Sequence, residues 1–216
     1  MKIVMVGGHT RNIGKTSVIE GIIRALPGMN WTAVKITQFG HGICSINGEA
    51  CDCAVTEHQF SISEERKKES GTDTARFLAA GARRSVWVRT RQGELFTALA
   101  ALRKEIEGDE FVIVESNSLR RFMKPTLYLQ VLDPFNADFK ASARQFFDLA
   151  DAYLLIEQPG SRDRLSPTTG AQAILLAREV EKNKPCFRVS AQERFMSRSV
   201  IRFIQSSLCS DLAPSA

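Results

Sequence analysis

The sequence predicts an α/β fold, a mostly parallel doubly wound sheet with helices on both faces, and three observations predict it. Strand-length apolar runs alternate with helix-length segments of 3.6-residue periodicity along the 216-residue chain. Two of the strand runs, Ile3-Val-Met-Val6 and Phe111-Val-Ile-Val114, are apolar at every position, as in strands buried on both faces. The first of them runs directly into a glycine-bearing turn followed by a helix.

Residues 3–6 read as the first strand and residues 15–25 as a helix with Val18, Ile22 and Leu26 on its apolar side. Residues 32–36 read as the second strand. The polar stretch 38–71 has little periodicity and is too long for an ordinary connection, so an inserted loop or hairpin with a function is expected after strand two. Helices are then expected over residues 73–82, 94–107, 142–149 and 170–181, with a closing amphipathic helix over 193–208. Between them, strands are expected at 85–89, 111–115, 126–132, 152–156 and 186–189. No repeat, low-complexity tract or linker interrupts this alternation, so residues 1–216 are expected to form a single domain.

Composition narrows the function classes. With 44% hydrophobic and 25% charged residues the chain has ordinary globular usage. A net charge of +5 is compatible with an anionic ligand, but so modest an excess favours simple surface solvation. A nucleic-acid role has only that charge behind it, with no recognition motif or interleaved aromatic stripe. No apolar run reaches the length of a membrane span and the first residues do not read as a signal peptide, so a cytoplasmic location is expected. Five cysteines in that compartment should not form a disulfide framework, and Cys186 and Cys209, in apolar settings, are expected in the core.

Between the first strand and the first helix stands Gly8-His-Thr-Arg-Asn-Ile-Gly14-Lys15-Thr16. That context and composition point to a P-loop, a backbone nest whose amides turn inward on phosphates at a helix N-terminus. Gly8, Asn12, Ile13, Gly14, Lys15, Thr16 and Ser17 are the candidate nucleotide-binding residues. Lys15 is expected to reach the β- and γ-phosphates, and the Thr16 hydroxyl to ligate magnesium, which makes Mg2+ with ATP or GTP the expected ligand. The spacing departs from Gly-x4-Gly-Lys: five residues separate Gly8 from Gly14, and His9 stands where the common loop has glycine.

The longer loop resembles that of dethiobiotin synthetase, which belongs to the SIMIBI class of P-loop NTPases. A second set of short motifs spans roughly the first 130 residues: Ala33-Val-Lys35, Gly71-Thr-Asp-Thr-Ala-Arg76, Ala79-Ala-Gly-Ala82 and Val114-Glu115. It resembles the molybdopterin-guanine dinucleotide biosynthesis adaptor protein of the same class, although Ser116 replaces the glycine that follows the acid. The signature lysine of the class's partitioning proteins would fall at Thr10, which disfavours that branch. The resemblance implies Lys35 near the γ-phosphate or a substrate, Asp73 at an acidic position, slow hydrolysis, and a site completed across a homodimer.

Glu115 ends an apolar strand, and ligands collect at the carboxyl ends of strands in such sheets, so it is the candidate magnesium acid. Lys15, Lys35 and Glu115 are the candidate catalytic residues. Asp73 reads equally well as a first-turn helix acid. Arg11 can neutralise charge within the loop or face solvent; Arg120, Arg121 and Lys124 read as an acceptor-anion site or as a solvated basic loop. Asn183-Lys184-Pro185-Cys186 lacks the acid of a guanine-reading segment, which favours ATP over GTP.

The insert carries Cys44, Cys51, Cys53 and His58. If Asn47-Gly48 form a two-residue hairpin turn, Cys44 faces Cys51, and strand alternation puts Cys53 on the same side. Three thiols with His58 form a candidate structural Zn2+ site; an iron–sulfur cluster, a redox pair or reduced buried thiols are the alternatives. Three functions follow. The first is Mg2+-dependent nucleotide binding with slow hydrolysis, coupled to cofactor biosynthesis, a protein partner or an anionic small molecule. The second is a ligase or kinase like dethiobiotin synthetase. The third is a nucleotide-switched protein delivering a metal or cofactor.

Overall fold

The structure, a computed structural model, describes residues 1–39, 59–133, 136, 138–157, 184–190 and 196–209. Among them, β1 (Lys2–Gly8), β2 (Thr32–Phe39), β3 (Phe60–Glu64), β4 (Arg84–Arg91), β5 (Phe111–Glu115), β6 (Leu127–Leu132), β7 (Ala152–Glu157) and β8 (Cys186–Ser190) form one sheet. The order is β3-β4-β2-β5-β1-β6-β7-β8, and every neighbouring pair is parallel except β3 with β4. The described helices are α1 (Lys15–Ala25), α2 (Asp73–Ala79), α3 (Leu95–Glu105), α4 (Ala141–Gln145) and α5 (Arg198–Cys209).

Strand alternation divides the core into two layers. Val4 and Val6 of β1 pack with Ile19 and Ile22 of α1, Phe77 of α2 and Ile204 of α5. Ile3 and Met5 point the other way, onto Leu95, Ala98 and Leu102 of α3 and onto Phe146, which follows α4. Helices therefore cover both faces, the doubly wound arrangement expected from the alternation of elements. Ile19 and Ile22 are 0% exposed, and each contributes about 1.5–3 kcal/mol by its burial. That clamps α1, and with it the loop entering α1, onto the centre of the sheet.

Several boundaries differ from expectation, for local reasons. The helix expected to reach residue 82 stops at Ala79, because Gly81 turns left-handed (φ +108°) and the amides of Gly81 and Ala82 fold back onto Leu78 and Phe77. The helix expected at 142–149 is the single turn of α4 and then a 3-10 turn, Phe147–Leu149. Within the stretch expected to be irregular lies β3, whose Phe60 and Ile62 pack against the α3 layer. Cys186 is half-buried and Cys209 is exposed at the end of α5, so Cys209 is not a core residue. The expected helix at 170–181 and residues 40–58 of the insert lie outside the described residues.

Register does the work of assembling the site. In the parallel ladder Val6 of β1 lies opposite Glu115 of β5, and Lys35 of β2 lies opposite Glu115 from the other side. The carboxyl ends of three adjacent strands therefore meet where β1 gives way to the loop before α1, the crevice in which open α/β sheets bind ligands.

Candidate functional site

The loop begins where the chain has no room for side chains. A Cβ on Gly7 would lie 2.6 Å from Tyr128 Oη and 2.7 Å from Gln130 Oε1, and would also meet Asn117 Oδ1. Asn117 holds the next residue by both ends of its amide: Oδ1 accepts from the Gly8 amide at 2.8 Å and Nδ2 donates to the Gly8 carbonyl at 2.7 Å. Asn12 (φ +55°) and Gly14 (φ +90°) take the left-handed turns that bring the chain round, and Ile13, 3% exposed, anchors the bend in the core. Gly14 caps α1 without a side-chain acceptor. The first-turn amides of α1 are thus left without intrahelical partners at the positive end of its dipole.

Lys15 curls over this loop, its ammonium donating to the Thr10 carbonyl at 3.1 Å. Burial lowers its pKa; the Glu115 carboxylate works against that, and the neighbouring Lys35 and Arg11 add to it. Thr16 follows on the buried side, and its hydroxyl donates to Glu115 Oε2 at 2.9 Å. The other carboxylate oxygen of Glu115 receives the Lys35 ammonium at 2.6 Å, and Lys35 also meets Asp73 Oδ2 at 2.7 Å. Burial by itself would depress Lys35, but the charges and hydrogen bonds of Glu115 and Asp73 outweigh it and raise its pKa. Asp73 is the mirror case: desolvation would raise it, and Lys35, the Thr16 hydroxyl and Arg76 hold it below its ordinary value.

Asp73 is also the first residue of α2, capped by the Thr72 hydroxyl, which accepts from the Ala75 amide at 3.1 Å. Asp73 is thus a first-turn helix acid, and the same carboxylate reaches Lys35. Arg76, one turn on, reaches Glu20 at 2.7 Å and the Ser17 hydroxyl at 3.1 Å, tying α2 to α1.

These groups line one cleft of about 960 Å³ that takes in residues 11–17, Lys35, Asp73 and Glu115. Glu115 and Asp73 bring two carboxylates to the floor beside the Thr16 hydroxyl, paired there with Lys35 and, at Asp73, with Arg76 at 3.6 Å. That all-oxygen donor set suits Mg2+, which is commonly held by one or two carboxylates plus the phosphates of its nucleotide. Among the described residues no group of three or more His, Cys, Asp or Glu is placed to hold a metal ion unaided. Cys44, Cys51, Cys53 and His58, the candidate Zn2+ ligands, lie outside the described residues.

Arg11 lines the cleft, whereas Arg120, Arg121 and Lys124 do not; Arg121 instead donates to Gln145 Oε1 at 2.8 Å. The structure adds residues that the sequence did not single out. Asn117 is one, and Lys140, which also lines the cleft, is another. His9, known from the sequence only as a departure from the usual spacing, is 1% exposed: its Nε2 meets the Asn136 carbonyl at 3.3 Å and its Nδ1 accepts from the Asp133 amide at 3.4 Å.

No family model and no curated protein matches the chain. Among solved structures, it is similar to HypB from Helicobacter pylori in complex with nickel, with a TM-score of 0.54 and 12% identity, covering 99% of this chain and 90% of that one. LpxK from Aquifex aeolicus in complex with ATP aligns at a TM-score of 0.45 and 13% identity, over 87% of this chain and 53% of that one. At such identities the likeness is one of fold, and the match to HypB carries it. With the parallel sheet, the helices on both faces and the loop between β1 and α1, the chain has the P-loop NTPase fold.

Proposed function

We propose that this chain binds a magnesium-complexed nucleoside triphosphate on residues 8–17 and hydrolyses it slowly, coupling that cycle to a partner or to a step of cofactor biosynthesis. The observation that carries the reading is the chain of contacts Thr16–Glu115–Lys35–Asp73, whose three charged members also act on Lys15. Thr16 and Glu115 would hold Mg2+, which supplies charge neutralisation of the phosphates. Lys15 and the first-turn amides of α1 bind the phosphate oxygens. Lys35 would supply a cation to the γ-phosphate. In hydrolysis a water oxygen bonds to the γ-phosphorus, the bond to the bridging oxygen breaks, and the diphosphate departs with the electron pair.

The motif resemblances to dethiobiotin synthetase and to the molybdopterin-guanine dinucleotide adaptor favour the SIMIBI class and a homodimer, and the acid missing from Asn183-Lys184-Pro185-Cys186 favours ATP over GTP. Release of inorganic phosphate, followed with ATP and with GTP, tests the reading. The wild type should turn over in the presence of Mg2+, and K15A and E115Q should not. Turnover that ignores Mg2+ or survives K15A would reject it. Stimulation by a small carboxylic acid would instead favour γ-phosphate transfer, as in a ligase or kinase.

A second reading draws on the candidate Zn2+ set, Cys44, Cys51, Cys53 and His58, and on a fold neighbour solved with nickel. In it the nucleotide switches delivery of a metal or cofactor. Metal analysis of protein purified without a polyhistidine tag tests it: near-stoichiometric metal released on nucleotide addition supports delivery, and absence of zinc, nickel and iron removes it.

A further inference from the structure

The connection from β6 to α4 is fastened to the first half of the phosphate loop more firmly than a covering loop requires. The Lys140 amide donates to the His9 carbonyl at 2.8 Å, and the Thr10 hydroxyl donates to Asp138. The His9 ring packs against Phe139 at 5.3 Å between centroids, and its nitrogens engage the backbone of Asn136 and Asp133. The bulky residue standing in the place of a glycine is thus the bolt that joins the two segments.

What this bolt positions is a charge. Lys140 lines the cleft that contains Arg11, Lys15 and Lys35. Lys35 is balanced by two carboxylates, but among the described residues neither Lys140, Lys15 nor Arg11 has an ion-pair partner. The charged groups that act on Lys140 are Lys15, Arg11 and Lys35, which oppose its charge, and Asp138, which favours it. Burial first, and then Lys15 and Arg11, bring its pKa down to about 8. Cations gathered in a half-buried cleft repel one another, and a polyanion placed among them recovers that cost.

We propose that Lys140 is a phosphate-contacting residue, whose ammonium closes over the phosphate chain together with Lys15 and Arg11. This rests on the reading of residues 8–17 as a nucleotide site and adds a cation to it from a different segment of the chain. Within one protomer the phosphates are then met by loop amides from below and by positive charge from two sides.

Titration of wild type, K140A, K140R and K15A with ATP and with ADP, at fixed Mg2+ and ionic strength, tests the proposal. K140A should weaken ATP binding roughly ten- to hundredfold, the worth of one charge-assisted hydrogen bond, while K140R recovers most of it. Proton uptake on binding at alkaline pH gives a second readout, by calorimetry in two buffers of different ionisation enthalpy. It should be smaller in K140R than in wild type, because arginine is already protonated. K140A affinity within about twofold of wild type, with K15A failing to bind, would overturn the role of Lys140 and leave the nucleotide site standing. Wild type that binds neither nucleotide would overturn both. Thermal melts of K140A and K140R separate lost binding from lost folding.

Discussion

Replacing Glu115 with glutamine keeps the shape of the side chain and removes one charge from a position only 4% exposed. The two carboxylate oxygens serve different donors: Oε2 accepts the Thr16 hydroxyl at 2.9 Å and Oε1 the Lys35 ammonium at 2.6 Å. A glutamine offers one oxygen and one NH2 group, so one of these donors would face a donor. Breaking a buried ion pair from one side costs about 3–5 kcal/mol. Lys35 keeps Asp73 at 2.7 Å, and that carboxylate is 35% exposed, so the expected loss is nearer 2–3 kcal/mol. For a chain of this length that lowers Tm by roughly 4–12 °C, read by circular dichroism at neutral pH without nucleotide. The functional arm is independent: Mg2+ should strengthen ATP binding to the wild type and have little effect on E115Q. An unchanged Tm would refute the idea that Glu115 secures Lys35. A magnesium effect of wild-type size in E115Q would refute its role as the metal acid.

Two further expectations concern the framework of the loop. G7A places a methyl group against Tyr128 Oη, Gln130 Oε1 and Asn117, an overpacking worth about 1–3 kcal/mol; the midpoint of urea denaturation should fall, and nucleotide affinity with it, whereas an unaltered midpoint would contradict the close approach. His9 has its pKa lowered by burial, against its backbone hydrogen bonds and the Asp133 charge, from an ordinary value of 6.5. Its folded pKa lies below the unfolded one, so its contribution is complete above pH 6.5 and declines as the pH falls below that. H9Q should therefore flatten the loss of stability between neutral and mildly acidic pH, and an identical slope in wild type and H9Q would contradict this.

Local chemistry made part of this protein readable. Helix α1 runs over Lys15–Ala25 as expected, because Gly14 supplies the entry turn and Val18 and Ile22 repeat at helical spacing into one core layer. β5 was legible as Phe111–Glu115 because an unbroken apolar run ends on one acid. From there, a parallel sheet suffices to bring Lys35 and Glu115 to the same end. Other features depend on partners distant in sequence. β3 has only Phe60 and Ile62 as apolar residues, since an edge strand buries one side, and its alternation is too short to stand out in a polar stretch. Asn117 carries no motif, and its purpose appears only when Gly8, 109 positions away, comes within hydrogen-bonding distance. His9 was visible as an exception to loop spacing, but its explanation lies in the β6–α4 connection, which no periodicity places beside it. The Ala79-Ala-Gly-Ala82 segment has helical composition, but its glycine marks where α2 ends.

The central claim is that residues 8–17, with Glu115, form a magnesium-nucleotide site. Titration of wild type and K15A with a fluorescent ATP analogue, with and without Mg2+, tests it most directly. The account predicts saturable binding to wild type that Mg2+ strengthens, and no binding to K15A. Equal affinity in the two proteins would contradict it.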